Sequence, residues 1–197
     1  MHQLLIATKN AHKTVEIAAM LAGWEVSDLT AHPDIPAPEE TGTTFAENAT
    51  IKAIAASRRF AGLVLSDDSG LEVDALGGAP GVTSARYAGP GATDADHRER
   101  LLSELARADG RTRTARFHCV MALARNGVVL GLFDGAVEGR IIDTEKGGGG
   151  FGYDPLFVPE GFSETFGELS VEIKNRLSHR ARALSKVVSF LKPDQEA

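Results

Sequence analysis

The 197-residue sequence contains a single cysteine, Cys119, in the apolar stretch Phe117-His118-Cys119-Val120-Met121. Neither an intrachain disulfide nor a cysteine-based metal site can be built from it, which fits a reducing compartment and a small core thiol. Positive charge is scarce too: 21 Lys and Arg stand against 27 Asp and Glu, a formal net charge of −6. General nucleic-acid and membrane-surface binders need a basic face, so neither partner is expected, while a small anionic substrate in a locally basic pocket stays compatible. No apolar run approaches the length that crosses a bilayer. Met1-His2-Gln3-Leu4 lacks the basic region and long apolar segment of a signal peptide, so a cytoplasmic location is expected. There is no internal repeat and no low-complexity tail.

What is present is an ordinary globular composition, 43% hydrophobic and 24% charged, long enough for one well-buried core with two lobes. Leu4-Leu5-Ile6-Ala7 reads as a strand and residues 11–21 as a helix capped by Asn10, with Val15, Ile17, Ala18 and Leu21 as its apolar stripe. Residues 24–29 follow as a second strand, and the Pro- and Glu-rich residues 32–42 as a surface loop. Thr44-Phe45-Ala46-Glu47 fits a capping box that opens an Ala-rich helix running to about residue 60. Gly62-Leu63-Val64-Leu65 reads as a short buried strand ending at Ser66-Asp67-Asp68-Ser69-Gly70. Residues 94–108 read as an exposed helix, and two β-rich runs, 113–124 and 128–137, flank the hairpin signal Asn126-Gly127. Residues 168–191 are helical again. Strands alternating with helices around a central hairpin give an α/β fold with a mixed sheet.

Several segments could carry chemistry. Two adjacent carboxylates, Asp67 and Asp68, at a strand's C-terminal end are costly to bury unless they bind a cation or activate something; the plain alternative is an Asp-Ser-Gly turn. Thr8-Lys9-Asn10-Ala11-His12-Lys13 joins the first strand to the first helix, a junction whose N–H groups and dipole favour anions, although it lacks the glycine spacing of a Walker loop. Asn48 and Lys52 share a helix face and by themselves read as a solvated pair. Glu39 and Glu40 would pass for surface charge, except that Mg²⁺ takes one or two carboxylates together with substrate phosphate oxygens. Gly149-Gly150-Phe151-Gly152-Tyr153-Asp154-Pro155 sets two aromatics among glycines, either to plug the core or to stack on a planar base. Lys174, Ser178, His179 and Arg180 converge only if the helix breaks, and Ser178 is a natural N-cap for a last helix beginning at His179; otherwise they form a basic helix surface.

Taken in order, Thr8-x-Asn10-x-x-Lys13, Glu39-Glu40-Thr41-Gly42, Glu47-Asn48-Ala49, Asp67-Asp68-Ser69-Gly70-Leu71, Phe151-Gly152-Tyr153-Asp154-Pro155 and Ser178-His179-Arg180 closely resemble the inosine triphosphatase-like family of non-canonical purine nucleoside triphosphate pyrophosphatases, bacterial branch. Gly77-Gly78-Ala79-Pro80-Gly81-Val82 and Ser84-Ala85-Arg86-Tyr87 match as well, so the likeness spans residues 4–191. Lys9 stands where a glycine often follows the Thr, and His12 where Gly or Lys often precedes Lys13. The resemblance implies a two-lobed α/β fold with a long mixed sheet, flanking helices and a central cleft, assembled as a homodimer. It also implies hydrolysis of dITP, ITP and XTP at the α–β phosphoanhydride to a nucleoside monophosphate and pyrophosphate.

The same likeness assigns Mg²⁺ to Glu39 and Asp68, with Asp68 also the proton acceptor for the attacking water. Thr8, Lys9, Asn10, Ala11, His12, Lys13, Lys52 and Ser69 would hold the phosphates. Phe151 would stack on the base, with Gly152, Tyr153 and Asp154 around base and sugar, and Lys174, His179 and Arg180 reading the ring edge. A donor-lined pocket suits the 6-oxo group of hypoxanthine and xanthine and mismatches the 6-amino group of adenine. Asp67 is open between assisting the metal and capping the turn. Two other functions are compatible with these residues: a phosphatase that removes the terminal phosphate, and a nucleotide-binding protein without catalysis.

Overall fold

Side-chain alternation along the first strand determines how the sheet is covered. In the computed structural model, which describes residues 2–21, 23–108 and 112–192, β1 (His2–Ile6) pairs in parallel with both β2 (Trp24–Asp28) and β3 (Leu63–Val73). Leu4 and Ile6 enter one core with Ile17, Leu65, Cys119 and Leu184, while Leu5 and Ala7 enter another with Leu29, Ile35, Ala56 and Val64. A strand buried on both faces reads as an unbroken apolar run, as Leu4 to Ala7 does.

The six-stranded sheet has the order β2-β1-β3-β4-β5-β6. β4 (Thr114–Arg125) and β5 (Val128–Ile141) are joined through Asn126 and Gly127, both at positive φ (53° and 78°), as a two-residue hairpin turn of this sequence requires. β5 pairs antiparallel with β6 (Phe157–Pro159), so the sheet is mixed and the fold is α/β. Its helices are α1 (Ala11–Met20), α2 (Phe45–Ser57), α3 (Asp94–Arg107), α4 (Val171–Leu177) and α5 (His179–Leu191). The chain divides into two compact units, one of Met1–Asp68, Cys119–Gly135 and Arg180–Ala197, the other of Ser69–His118 and Ala136–His179. The first holds the two cores just described; the second has its own, including Leu71, Leu101, Phe117, Leu156, Phe157 and Phe166.

Two local expectations are corrected. β3 does not stop before a turn at Asp67-Asp68-Ser69-Gly70 but runs straight through it to Val73. Side-chain partners on both faces satisfy the carboxylates, and Leu71 and Val73 anchor the far end in the second unit's core. In α1 the expected apolar stripe holds only in part: Ile17 and Leu21, just past the helix end, are buried in the core, whereas Val15 is 68% exposed and Ala18 is exposed. Polar anchors help to seat α1, among them Thr14 Oγ1 donating to Asp28 on β2 at 2.7 Å.

Candidate active site

The turn from β1 into α1 is built by its own side chains. Thr8 Oγ1 accepts from the Asn10 N–H at 3.1 Å, and Asn10 Oδ1 accepts from His12 and Lys13 N–H at 3.0 and 3.4 Å. Asn10 is thus the N-cap that its residue type predicts. Lys9, Asn10, Ala11 and His12 are exposed, while Thr8 and Lys13 are half-buried.

Next in this unit come the two carboxylates, which strand alternation sends to opposite faces of β3. Asp67 shares a face with Leu65 and lies fully inside the unit: Lys13 Nζ donates to its Oδ1, Arg180 Nε to its Oδ2 at 3.0 Å, and the Cys119 thiol to the same Oδ2 at 3.0 Å. Burial by itself would raise its pKa, but Arg180 and Lys13 outweigh it and hold the carboxyl well below its ordinary value. Asp68 faces α2 with Ser66, whose hydroxyl donates to the Ala49 carbonyl at 2.6 Å. Lys52 Nζ donates to Asp68 Oδ1 at 2.7 Å and sits 2.9 Å from Glu40. Burial raises the Asp68 pKa, and the attraction of Lys52 does not fully offset it, with the nearby Glu40 charge adding to the rise. Lys52 stays charged in its buried position because Asp68 and Glu40 outweigh the cost of desolvation.

Asn48 and Lys52, which read as a solvated pair, are in fact buried, at 0% and 9% exposure. The capping box at Thr44 and Glu47 fixes where α2 starts. Its small residues Ala49 and Ala53 are fully buried, which brings the helix close to β3. Gly42 N–H donates to Asn48 Oδ1 at 2.8 Å, tying the Glu39 to Gly42 loop to α2. Of its two carboxylates, Glu40 reaches Lys52, whereas Glu39 is exposed. Asp68 Oδ2 and Asn48 Nδ2 are buried without a hydrogen-bond partner among the described residues. Orphaned polar atoms of this kind are uncommon in finished interiors and suit a group that arrives from outside. No cluster of three or more His, Cys, Asp or Glu suited to a metal occurs among the described residues. A site of one or two carboxylates completed by water and phosphate oxygens, the habit of Mg²⁺, fits that arrangement and the spare oxygen of Asp68.

The second unit holds the other expected residues. Asp154, 3% exposed, accepts from Phe151 N–H at 2.8 Å and from Lys174 Nζ at 2.6 Å. Gly150, at φ +72°, lies against that carboxylate, where an added Cβ would come within 2.1 Å of Asp154 Oδ2. Lys174 Nζ then lies 4.9 Å from the centre of the Phe151 ring, a cation over a π face. Gly152 is tied to α3 on both sides, its N–H donating to Asp94 at 2.7 Å and its carbonyl accepting from Arg98 at 2.8 Å. The Tyr153 hydroxyl donates to the Ser84 carbonyl at 2.9 Å, so this ring is part of the core, and burial pushes its pKa up. Ser178, in extended conformation, breaks the chain between α4 and α5 as its N-cap character predicts. His179 stacks on Phe117 with ring centres 4.9 Å apart. Ser69 is half-buried on β3.

The structure therefore brings Thr8 to Lys13, Lys52 and Asp68 into one unit, and Phe151 to Asp154, Lys174 and His179 into the other. The Arg180 side chain belongs with the first group, against Asp67 and Glu16. The pairings of Glu16, Cys119 and Glu40 escaped the sequence reading. Only the three-residue spacing of Lys13 and Glu16, one helix face, could have hinted at the first.

Comparison with known proteins gives a consistent result. A profile described as the Ham1 family matches residues 4–190. A "dITP/XTP pyrophosphatase" of Geobacillus kaustophilus is 51% identical across 95% of this chain and 93% of its own length. One of the same name from Halalkalibacterium halodurans is 48% identical across 97% of this chain and 100% of its own length. Among solved structures, a HAM1 protein from Coxiella burnetii superposes with a TM-score of 0.89 at 40% identity, covering 97% of this chain and 98% of that one.

Asp67 and Asp68 should respond differently to the same substitution. Asp67→Asn strips the charge facing Arg180 and Lys13 and should cost about 3–5 kcal/mol in urea unfolding at neutral pH, the scale for breaking a buried pair. Asp68→Asn should cost clearly less, since Glu40 still faces Lys52. Because the folded-state pKa of Asp67 is depressed, its contribution is complete above the ordinary value of 3.8 and is lost only as pH falls through its lower folded value. Equal losses for the two variants at neutral pH would refute this division.

Proposed function

The chain belongs to the Ham1 family, and we propose on that premise that it hydrolyses dITP, ITP and XTP at the α–β phosphoanhydride. The products are a nucleoside monophosphate and pyrophosphate, and the effect is to remove deaminated purines from the nucleotide pool. One observation supports this reading above the others. β3 delivers a carboxyl group, Asp68, whose pKa is raised and whose Oδ2 is unsatisfied, beside Lys52 and within the field of Lys13. A carboxylate tuned upward beside cations suits proton abstraction from water next to a polyanion.

In the proposed reaction Asp68 takes the proton as the water oxygen bonds to the α-phosphorus, and the bond from that phosphorus to the bridging oxygen breaks, releasing pyrophosphate. Lys13 and Lys52, with Thr8, Lys9, Asn10, Ala11, His12 and Ser69, orient the phosphates and offset their charge, which supplies most of the catalysis in phosphoryl transfer. Mg²⁺ would be held by Glu39 and Asp68 with phosphate oxygens and water, and when bound it would polarise the phosphoryl groups. Phe151 takes the stacking face of the base, and Asp154 fixes both that loop and Lys174, so Asp154 serves the base through its neighbours. Lys174 and His179 offer donors to a 6-oxo group. The Arg180 guanidinium is engaged by carboxylates, so the backbone N–H at the start of α5 is the part of Arg180 suited to an acceptor on the base. A cytoplasmic location follows from the substrates and agrees with a free, buried Cys119.

We also propose a homodimer. Val128, Leu130 and Leu132 alternate along β5 and are 61%, 42% and 50% exposed, an apolar row on one face of the strand. A second copy of this chain is the partner we assign to this row, in keeping with the homodimer that the sequence resemblance implies.

Purified protein with Mg²⁺ should release pyrophosphate from ITP, dITP and XTP and turn over ATP poorly; orthophosphate as sole product would instead indicate a terminal phosphatase. Asp68→Asn should lower kcat by roughly 10²–10⁴-fold with the fold retained, the usual scale for general acid–base catalysis. Near-normal turnover in that variant would remove Asp68 from the mechanism. Sedimentation should give a dimer for the native protein and a monomer for the Leu130→Glu, Leu132→Glu double variant; a native monomer would refute the pairing.

A further inference from the structure

Besides the apolar burial of Ile17, two ion pairs attach α1 to the rest of the first unit. Lys13 and Glu16 lie three residues apart on α1 and so present a cation and an anion to the same side. Lys13 pairs with Asp67 on β3, and Glu16 pairs with Arg180 near the start of α5. Arg180 closes the series by donating from Nε to Asp67 at 3.0 Å. The order Glu16, Arg180, Asp67, Lys13 alternates in sign, sums to zero and returns to its origin through the backbone of α1. Asp67 and Arg180 are each 1% exposed, and the side chains of Glu16 and Lys13 are 14% and 16% exposed. In so dry a setting water does not replace a missing partner, and the geometry of each pair constrains the next.

We propose that Glu16 is a positioning residue for the phosphate-handling reaction, acting through Arg180 and Asp67 to fix the ammonium of Lys13 and the loop that precedes it. The inference rests on the phosphate role proposed for Lys13. A lysine ammonium carries three donors; Asp67 takes one, and its direction sets where the other two point. With Glu16 in place, Arg180 is shared between two carboxylates. Without the Glu16 charge, Arg180 draws Asp67 toward itself, and Lys13 loses the fixed partner that aims it. Glu16 itself touches no reacting atom in this scheme. It sits on α1, one helical turn behind the loop.

A double-mutant cycle tests this. Wild type, Glu16→Gln, Lys13→Met and the double variant are compared by kcat/KM for ITP and for ATP. Glu16→Gln should lower kcat/KM by about tenfold, the scale of coupling within one charge network. The double variant should fall within about twofold of Lys13→Met alone, because Glu16 then has nothing left to position. The ITP-to-ATP preference should be unchanged in Glu16→Gln, since Glu16 pairs with the Arg180 guanidinium, whereas the part of Arg180 assigned to the base is its backbone N–H on the helix. Calorimetric binding of inorganic pyrophosphate to the same four proteins runs the cycle without turnover. If wild type cleaves no purine nucleoside triphosphate yet the pyrophosphate cycle is non-additive, the proposed reaction fails and the positioning role stands. If Glu16→Gln does not fold, Arg180→Lys enters the cycle one link further along, with the same non-additivity expected. Additive losses, an altered base preference, or a Glu16→Gln protein indistinguishable from wild type in both assays would overturn the proposal.

Discussion

Successive residues of a β-strand point to opposite faces, and on β3 that rule acts on two neighbouring carboxylates. Asp67 is sent among α1, β4 and α5, where Lys13, Cys119 and Arg180 surround it. Asp68 is sent to α2, where Lys52 takes one oxygen and leaves the other unsatisfied. The environments push the two pKa values apart, down for Asp67 and up for Asp68. One carboxylate becomes a permanent charge that organises cations, and its neighbour becomes the group suited to exchange a proton. Much of the first unit is arranged around this division: the capped start of α2 that delivers Lys52, and the sparsely buried α1 that docks through Lys13 and Glu16.

A protein with a net charge of −6 can still present a polyanion with local positive charge. Lys13 and Lys52 are each held by carboxylates, so their charges are fixed in place at low reorganisation cost, the form of electrostatic preorganisation that phosphoryl transfer rewards. In the second unit the same device recurs on a smaller scale. Asp154 holds the Lys174 ammonium over Phe151 and also accepts from the Phe151 N–H, so one buried carboxylate fixes both the aromatic ring and the cation beside it.

Much of this was legible in the sequence. The capping box at Thr44, the Asn126-Gly127 hairpin and the break at Ser178 are local signals whose chemistry demands a particular backbone, and each appears where it was read. The α/β class followed from alternation of strands and helices. The misreadings share a cause, which is that partners distant in sequence decided the outcome. Asp67-Asp68-Ser69-Gly70 has turn composition, yet Lys13, Lys52 and Arg180, from 16 to 113 residues away, satisfy the carboxylates and let the strand continue. Val15 looked like a core residue because the helix period was taken to imply a broad apolar seat, whereas only Ile17 and Leu21 enter the core and ion pairs that hydropathy does not register hold α1 beside them. The ion pairs of the Arg180 guanidinium went unread for the same reason, since its carboxylate partners Asp67 and Glu16 lie at the other end of the chain.

The division between Asp67 and Asp68 is open to direct observation by carbon-13 NMR of their carboxyl carbons during acid titration of the folded protein, with metal and nucleotide withheld. Asp68 should titrate above the ordinary carboxylate value of 3.8, and Asp67 should stay ionised until far below it. Two carboxyls titrating together near that value, or in the reverse order, would contradict the account.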